Sequence, residues 1–227
     1  MLPQDLLRRQ RLLCILLAAL ASASPVGIAA AHPHVWATVR SEIVFGSDHL
    51  ITGIRHHWTF DEFYTAMAVQ GLDTDGDGAY SQAELQPLAQ VNIESLKEFD
   101  YFTFVHLSDD EKPLPLKGPV DYSIGYDKTQ LTLHFTLPLE KPLDPKVHNV
   151  AVDVYDPSFF VAFGFATDGP VKITGTAPGC AAEIQKPDPE VADETKALSE
   201  AFFSQLGPNS NFGSQFAQTA IVKCVTP

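Results

Sequence analysis

From position 33 the chain alternates between apolar and polar residues. Val35, Ala37, Val39 and Ser41 fall on one side of an extended segment and His34, Trp36, Thr38 and Arg40 on the other, the period-2 signature of a strand with one buried face. Gly46-Ser47-Asp48 reads as a turn, and a second strand over roughly 50–58 completes an antiparallel hairpin. The period then becomes helical. Phe60, Phe63, Tyr64 and Met67 stand at i, i+3, i+4 and i+7, Thr59 and Glu62 have the spacing of a capping box, and the helix is expected to end near Gly71. A second helix is predicted over about 81–98, with Leu85, Leu88, Ile93 and Leu96 apolar. Strand patterns resume at 101–106 and again as a hairpin over 120–137, in which Leu131, Leu133, Phe135 and Leu137 share the buried face and Thr132, His134 and Thr136 the other. Further strands are expected over 147–154, 159–165 and 171–176. A Pro-rich break at 186–190 precedes an amphipathic helix at about 191–205 and a last strand near 217–225. This segregation of elements predicts the α+β class. The expected architecture is a single antiparallel β-rich domain over 32–227, with a helix-loop-helix inserted at about 59–98 and a helix near the C-terminus.

The residues before this pattern read differently. Arg8, Arg9 and Arg11 form a basic start, Leu12–Ala23 is apolar, and Ala29-Ala30-Ala31 is a small-residue cleavage site, so 1–31 is expected to be a cleavable signal peptide for export to the periplasm. The apolar run is too short for a bilayer, which needs about 20 residues, so the protein is not expected to be embedded in a membrane. The Arg8-Arg9 pair also permits a twin-arginine route, although its surroundings match that pattern poorly. Cys14 leaves with the leader. The two cysteines that remain, Cys180 and Cys224, are an even number in an oxidising compartment and are expected to form a disulfide bond. A closed loop of roughly 45 residues is worth about 4 kcal/mol in chain-entropy terms.

Charge narrows the partners. Fifteen Lys and Arg against 28 Asp and Glu give a net charge of -13, a poor basis for a phosphate-neutralising surface, so nucleic acid is not an expected partner. The acidic balance favours cations.

Between the two predicted helices lies Asp73-Thr74-Asp75-Gly76-Asp77-Gly78-Ala79-Tyr80-Ser81-Gln82-Ala83-Glu84, which fits the twelve-residue EF-hand loop. Calcium needs six to eight hard oxygens in one shell. Asp73, Asp75 and Asp77 offer carboxylates at positions 1, 3 and 5, Ala79 its carbonyl at 7, Ser81 a direct or water-relayed contact at 9, and Glu84 a bidentate carboxylate at 12. Gly78 permits the turn, and Tyr80 is placed to pack beneath the loop. Pro87, early in the outgoing helix, is expected to kink it. A lone loop of this kind predicts a calcium affinity around 10⁻⁴ to 10⁻³ M and a structural role.

All eight histidines follow the leader. Cleavage after Ala31 makes His32 the terminus, offering its amine and ring to one metal ion, and His34 lies two residues on along the same face. Pro33 has no amide proton, which blocks binding through deprotonated backbone nitrogens. His56 and His57, near the end of the second strand, are the candidate third ligands, only one of which can share the face of His34, and His134 is a more distant candidate. Such a set suits nickel, cobalt, zinc or copper. The alternative is that these rings merely pack or hydrogen-bond. Asp156-Pro157-Ser158 reads as a turn between apolar strands. No Gly-Xaa-Ser-Xaa-Gly elbow, phosphate-cradling glycine loop, His-Glu-Xaa-Xaa-His helix or catalytic thiol is present in the sequence, so the chain is not expected to be an enzyme.

His32-Pro33-His34-Val35-Trp36 after the leader, Trp58-Thr59-Phe60-Asp61-Glu62-Phe63, Tyr155-Asp156-Pro157-Ser158-Phe159-Phe160 and the terminal Cys224 together resemble a family of bacterial periplasmic proteins. That family is catalogued as a domain of unknown function and described as the periplasmic component of an uncharacterised ABC-type transport system, with members often beside nickel/cobalt membrane transporters. The resemblance implies a metal-handling role. The length argues against a two-lobed solute-binding protein, which closes one domain on another. The expectation is therefore a periplasmic calcium-binding protein that binds or delivers a divalent transition metal as accessory to a membrane transporter. The alternatives are a calcium-stabilised interaction module with ordinary histidines, and a copper-dependent oxidoreductase built on His32.

Overall fold

Two sheets share their interior, and the alternation read along the chain determines which faces meet. In the computed structural model, residues 33–110, 112–187, 202, 205 and 210–225 are described. The large sheet contains β1 (Val35–Phe45), β2 (Ile51–Phe60), β4 (Val120–Asp127), β5 (Gln130–Leu143), β7 (Val161–Phe165) and β8 (Val171–Thr174). The small one contains β3 (Thr103–Leu107), β6 (Val150–Val154), β9 (Cys180–Gln185) and β10 (Gln218–Cys224). Strand order is β4-β5-β2-β1-β7 in the first, with β8 also on β1, and β3-β6-β10-β9 in the second. Pairing is antiparallel except at one edge, where the first half of β1 runs parallel to β7 and the second half parallel to β8. These parallel pairs depart from the wholly antiparallel expectation. β8 follows β7 after the short loop at 166–170 and continues in the same direction along β1, and no local pattern encodes that direction.

Ala37, Val39, Ile43 and Phe45 of β1, Ile54 and Trp58 of β2, and Leu131, Leu133, Phe135 and Leu137 of β5 line the buried face of the large sheet, each 5% exposed or less. One end of that face, around Ile43, Phe45, Ile51 and Ile54, packs on Val105, Val150, Val152, Ala220 and Val222 of the small sheet. The other end is covered by two helices, α1 (Glu62–Ala68) and α2 (Gln82–Leu96), through Val69, Leu85, Ala89 and Ile93. The opposite face of the sheet carries Arg40, Glu42, Arg55, His57, Thr132 and His134, as expected of a sheet solvated on one side.

The chain leaves β2 later than the sequence suggested. Thr59 and Phe60 stay in the ladder, opposite Thr132 and Ala37, and the helix cap is Asp61. Asp61 Oδ1 accepts from the Tyr64 amide and Oδ2 from the Trp36 amide, both at 2.9 Å, fastening the helix start to the start of β1. Delaying the helix by these residues turns its stripe. Thr65, Ala68 and Val69 face inward, whereas Phe63 is 71% and Met67 56% exposed, so the i, i+3, i+4, i+7 apolar spacing does not mark the buried face of this helix. Ser81 and Glu84 form the capping box of α2, which continues through Pro87 as one element. β3 begins two residues later than expected, after Asp100, Tyr101 and Phe102 adopt positive φ. β9 was not anticipated. Its register with β10 sets Cys180 opposite Cys224, and the two are disulfide-bonded. The leader over 1–31 lies outside the described residues, as does the helix expected over 191–205 apart from positions 202 and 205. Among the described residues no helix is long and apolar enough to cross a membrane.

Candidate functional site

The segment joining α1 to α2 folds around its own carboxylates. Asp73 Oδ1 accepts from the Gly76 amide at 2.7 Å and Oδ2 from the Gly78 amide at 3.0 Å. Asp75 accepts from the Asp77 amide at 3.2 Å, and Asp77 from the Ala79 amide at 2.8 Å. Gly76 and Gly78 take φ of +75° and +82°, the conformation that lets the backbone wrap inward without a side chain in the way. Glu84 closes the turn from α2. Its Oε1 accepts from Thr74 N and Oγ1 at 2.7 and 2.9 Å, and its Oε2 from Ser81 N and Oγ at 2.9 and 2.8 Å. These bonds, first that of the Ser81 amide and then that of the Thr74 amide, hold its carboxyl down at about 2.

Oxygens of Asp73, Asp75 and Glu84 consequently lie within 4.8 Å of one another. Three carboxylates converging on one point offer the cluster of hard oxygens that a cation takes as ligands. Asp77 stands outside this trio and Ser81 is occupied with Glu84 as the helix cap. Tyr80 packs edge-on against Tyr126 of β4 with ring centroids 4.8 Å apart, tying the turn to the large sheet. Gln82 Nε2 donates to the Ile124 carbonyl at 3.0 Å and anchors the first turn of α2 there.

The four histidines singled out from the sequence are not gathered at one place. His32 lies outside the described residues. His34 packs against Phe160 with the rings tilted by 30° and their centroids 4.7 Å apart, at the start of β1. His57 faces the same side of the sheet but stands opposite Arg40, six positions further along the strand, roughly 20 Å away. The expected His34–His57 neighbourhood is therefore not formed, because β2 runs on past His57 to Phe60, which is the residue set near the start of β1, against Ala37.

His56 points the other way, into the core. It is fully buried between Ser41 Oγ, 2.9 Å from Nδ1, and Thr103 Oγ1, 3.2 Å from Nε2. The Thr103 hydroxyl gives its proton to the Tyr101 carbonyl, so it accepts from the Nε2–H of His56, and Ser41 donates to Nδ1. Burial, reinforced by the neighbouring His57, holds this imidazole neutral down to about pH 3. Such a ring is a packed core group and offers nothing to an ion on the surface.

His57 has a partner that the sequence ranked low. Its register partner on β5 is His134, and the two Nδ1 atoms are 2.6 Å apart. Glu42 of β1 lies on the other side of His57, Oε1 being 3.3 Å from Nε2, while its Oε2 accepts from Arg55 Nη1 at 2.9 Å. Arg55 Nε also donates to Thr136 Oγ1 at 3.2 Å. Partial burial and the charge of His57 lower the pKa of His134. Outward alternation marks each of these residues separately, but only the pairing of β5 with β2 brings them together.

A second polar group crosses the small sheet. His106 Nε2 is 3.0 Å from Asp153 Oδ2, and Thr219 Oγ1 donates to Asp153 Oδ1 at 2.6 Å. These residues line a cavity of about 370 Å³ with Phe104 and Tyr155. Asp156 serves the turn anticipated for it, accepting from the Ser158 and Val161 amides at 2.8 and 3.0 Å.

Two relatives share much of this chain. An uncharacterized protein of Haemophilus influenzae is 25% identical over 195 residues, covering 86% of this chain and 91% of its own. An uncharacterized 15.5 kDa protein encoded in the trpE 3′ region of Spirochaeta aurantia is 32% identical over 111 residues, covering 49% of this chain and 77% of its own. Residues 16–224, which include the acidic turn and all three residues of the Glu42–His57–His134 row, match the family described as protein of unknown function (DUF1007), and the chain belongs to that family.

Proposed function

We propose that this is an exported metal-handling protein: a calcium ion bound in the α1–α2 turn stabilises it, and it binds a divalent transition metal, nickel, cobalt, zinc or copper, as accessory to a membrane transporter in the periplasm. The observation that carries this reading is the convergence of Asp73, Asp75 and Glu84 oxygens on one point between two capped helices. Hard, charged oxygens at EF-hand spacing fit Ca²⁺, which Asp73, Asp75 and Glu84 would hold with Asp77 and the Ala79 carbonyl beside them. Calcium there supplies charge neutralisation and ties α1 to α2 over the core of the large sheet. The leader, the net charge of -13 and the resemblance to proteins found beside nickel/cobalt transporters support export and cation handling. The reading is of a binding protein, not an enzyme.

One observation favours a second reading, a calcium-stabilised interaction module without a transition metal. Met67 of α1 and Val91 of α2, 56% and 59% exposed, flank a groove whose floor is Tyr64, Ala68 and Leu88, an apolar surface of the kind that receives partners.

Calcium tests the shared part of both. A ligand that binds only the folded state stabilises it by mass action. The unfolding temperature of the mature protein is expected to rise progressively with Ca²⁺ through the millimolar range, and much less with Mg²⁺. A melting curve that Ca²⁺ leaves unmoved contradicts the calcium assignment.

A further inference from the structure

We infer that His57 and His134 form a transition-metal site on the solvent face of the large sheet, each ring ligating through Nδ1, with Glu42 as the positioning residue behind His57. The inference rests on the metal-handling reading and gives its transition metal a place, away from the N-terminal histidines.

His57 and His134 are directly opposed on adjacent antiparallel strands, so their side chains leave the sheet side by side. An ionised carboxylate only accepts, so the contact from Glu42 Oε1 to His57 Nε2 sets the proton on Nε2 and leaves the Nδ1 lone pair free. That lone pair points at Nδ1 of His134 across 2.6 Å. Without a metal, one proton on His134 bridges the two rings. With a metal the same two nitrogens are its ligands. At about 2.0 to 2.1 Å from a tetrahedral ion, two nitrogens sit ~3.3 Å apart, so the rings need to part by under ~1 Å, a small rotation for half-exposed side chains.

The surroundings match a ligand pair more closely than a packing pair. A metal-ligating imidazole characteristically donates its other N–H to a carboxylate, which fixes the ring and raises its basicity. Glu42 occupies that place and is itself held by Arg55, which is in turn bonded to Thr136. The Glu42 charge is thereby balanced, and Arg40, opposite His57 in the register, faces the same surface. On the β4 side the register partner of His134 is Ser123, and the nearest approach of Gly125 to the ring is at Nε2, away from the Nδ1 that meets His57. Two protein nitrogens leave the remaining coordination positions to water or to a donor from elsewhere. A site of that kind exchanges its ion readily, as delivery to a transporter requires. Imidazole pairs suit Zn²⁺, Cu²⁺, Ni²⁺ and Co²⁺ and exclude Ca²⁺, which the acidic turn takes.

The test uses the mature chain saturated with Ca²⁺ and titrated calorimetrically with ZnCl₂, NiCl₂, CoCl₂ and CuCl₂. His57→Gln and His134→Gln are each expected to weaken binding of the preferred ion by more than ~100-fold, and Glu42→Gln by about 10- to 100-fold, the range for an outer-shell partner. His34→Ala is expected to bind as the wild type does. Retained Ca²⁺ binding reports that each variant is folded. Independently of any variant, imidazole ¹H–¹⁵N spectra of the wild type are expected to show Zn²⁺ shifting Nδ1 of His57 and His134. Wild-type affinity in both histidine variants, or Zn²⁺ shifts confined to other histidines, overturns the site while leaving the metal-handling reading intact. A wild type that binds none of the four ions overturns both the site and the transition-metal half of that reading.

Discussion

Replacing Glu84 by glutamine is expected to lower the affinity for Ca²⁺ by more than about 100-fold, beyond the 10- to 100-fold range of an outer-shell change. Glu84 is the one carboxylate that reaches the turn from α2, and it meets both ends of the loop, Thr74 at one and Ser81 at the other. Its two oxygens are thus placed to ligate together and to join the helices through the ion. Glutamine keeps the size and the capping geometry but loses a charge and one acceptor oxygen. Calorimetric titration with CaCl₂ checks this, with circular dichroism confirming that α2 persists. A Glu84→Gln protein with wild-type calcium affinity removes the acidic turn from the account.

The second large effect concerns His56 and pH. The unfolded chain binds a proton on this ring near pH 6.5, whereas the folded protein resists it until about pH 3. The unfolded state therefore carries more protons throughout that window, so stability rises with pH from about 3 to 6.5 and is complete above it. At a pH two units below 6.5 the loss is about 3 kcal/mol. Urea unfolding at pH 7.5 and pH 4.5, both in a chelator so that calcium does not contribute, is expected to show this difference on top of the carboxylate titrations shared by every variant. His56→Gln is expected to remove about 3 kcal/mol of it while lowering stability at pH 7.5, because glutamine leaves the pairing with Ser41 and Thr103 imperfect. Equal pH dependence in both proteins contradicts a buried neutral His56.

Local pattern made much of this structure legible. The alternation from Val35 to Ser41 matches the exposure of β1 residue by residue, and Leu131, Leu133, Phe135 and Leu137 form the buried face expected of them. Ser81 and Glu84, read from the sequence only as positions of the acidic loop, also cap α2, since both partners of a capping box lie within one helical turn. The Cys180–Cys224 bond agrees with the pairing expected from the even number of cysteines after the predicted leader. What failed depends on contacts distant in sequence. Thr59 carries a capping signal, yet its ladder partner Thr132 holds it in β2 and passes the cap to Asp61. His56 and His57 are equivalent as letters. Alternation assigns them to opposite faces, but which one meets solvent depends on the sheet above them, and which residue meets His57 depends on β5. For the same reason Glu42 entered only with the structure, and His134, a distant candidate in the sequence, was placed beside His57 only by the β2–β5 register. The parallel approach of β7 and β8 to β1 is likewise a property of the connections, with no local signature in either strand.

Two different cations are expected on one chain. Native mass spectrometry of the mature protein, beginning at His32, stripped and then offered Ca²⁺ together with Ni²⁺, Co²⁺, Zn²⁺ and Cu²⁺, counts them directly. The account predicts one calcium and one transition ion on the same molecule, the calcium lost in Glu84→Gln and the transition ion in His57→Gln. A protein that emerges from this mixture with no bound ion contradicts it.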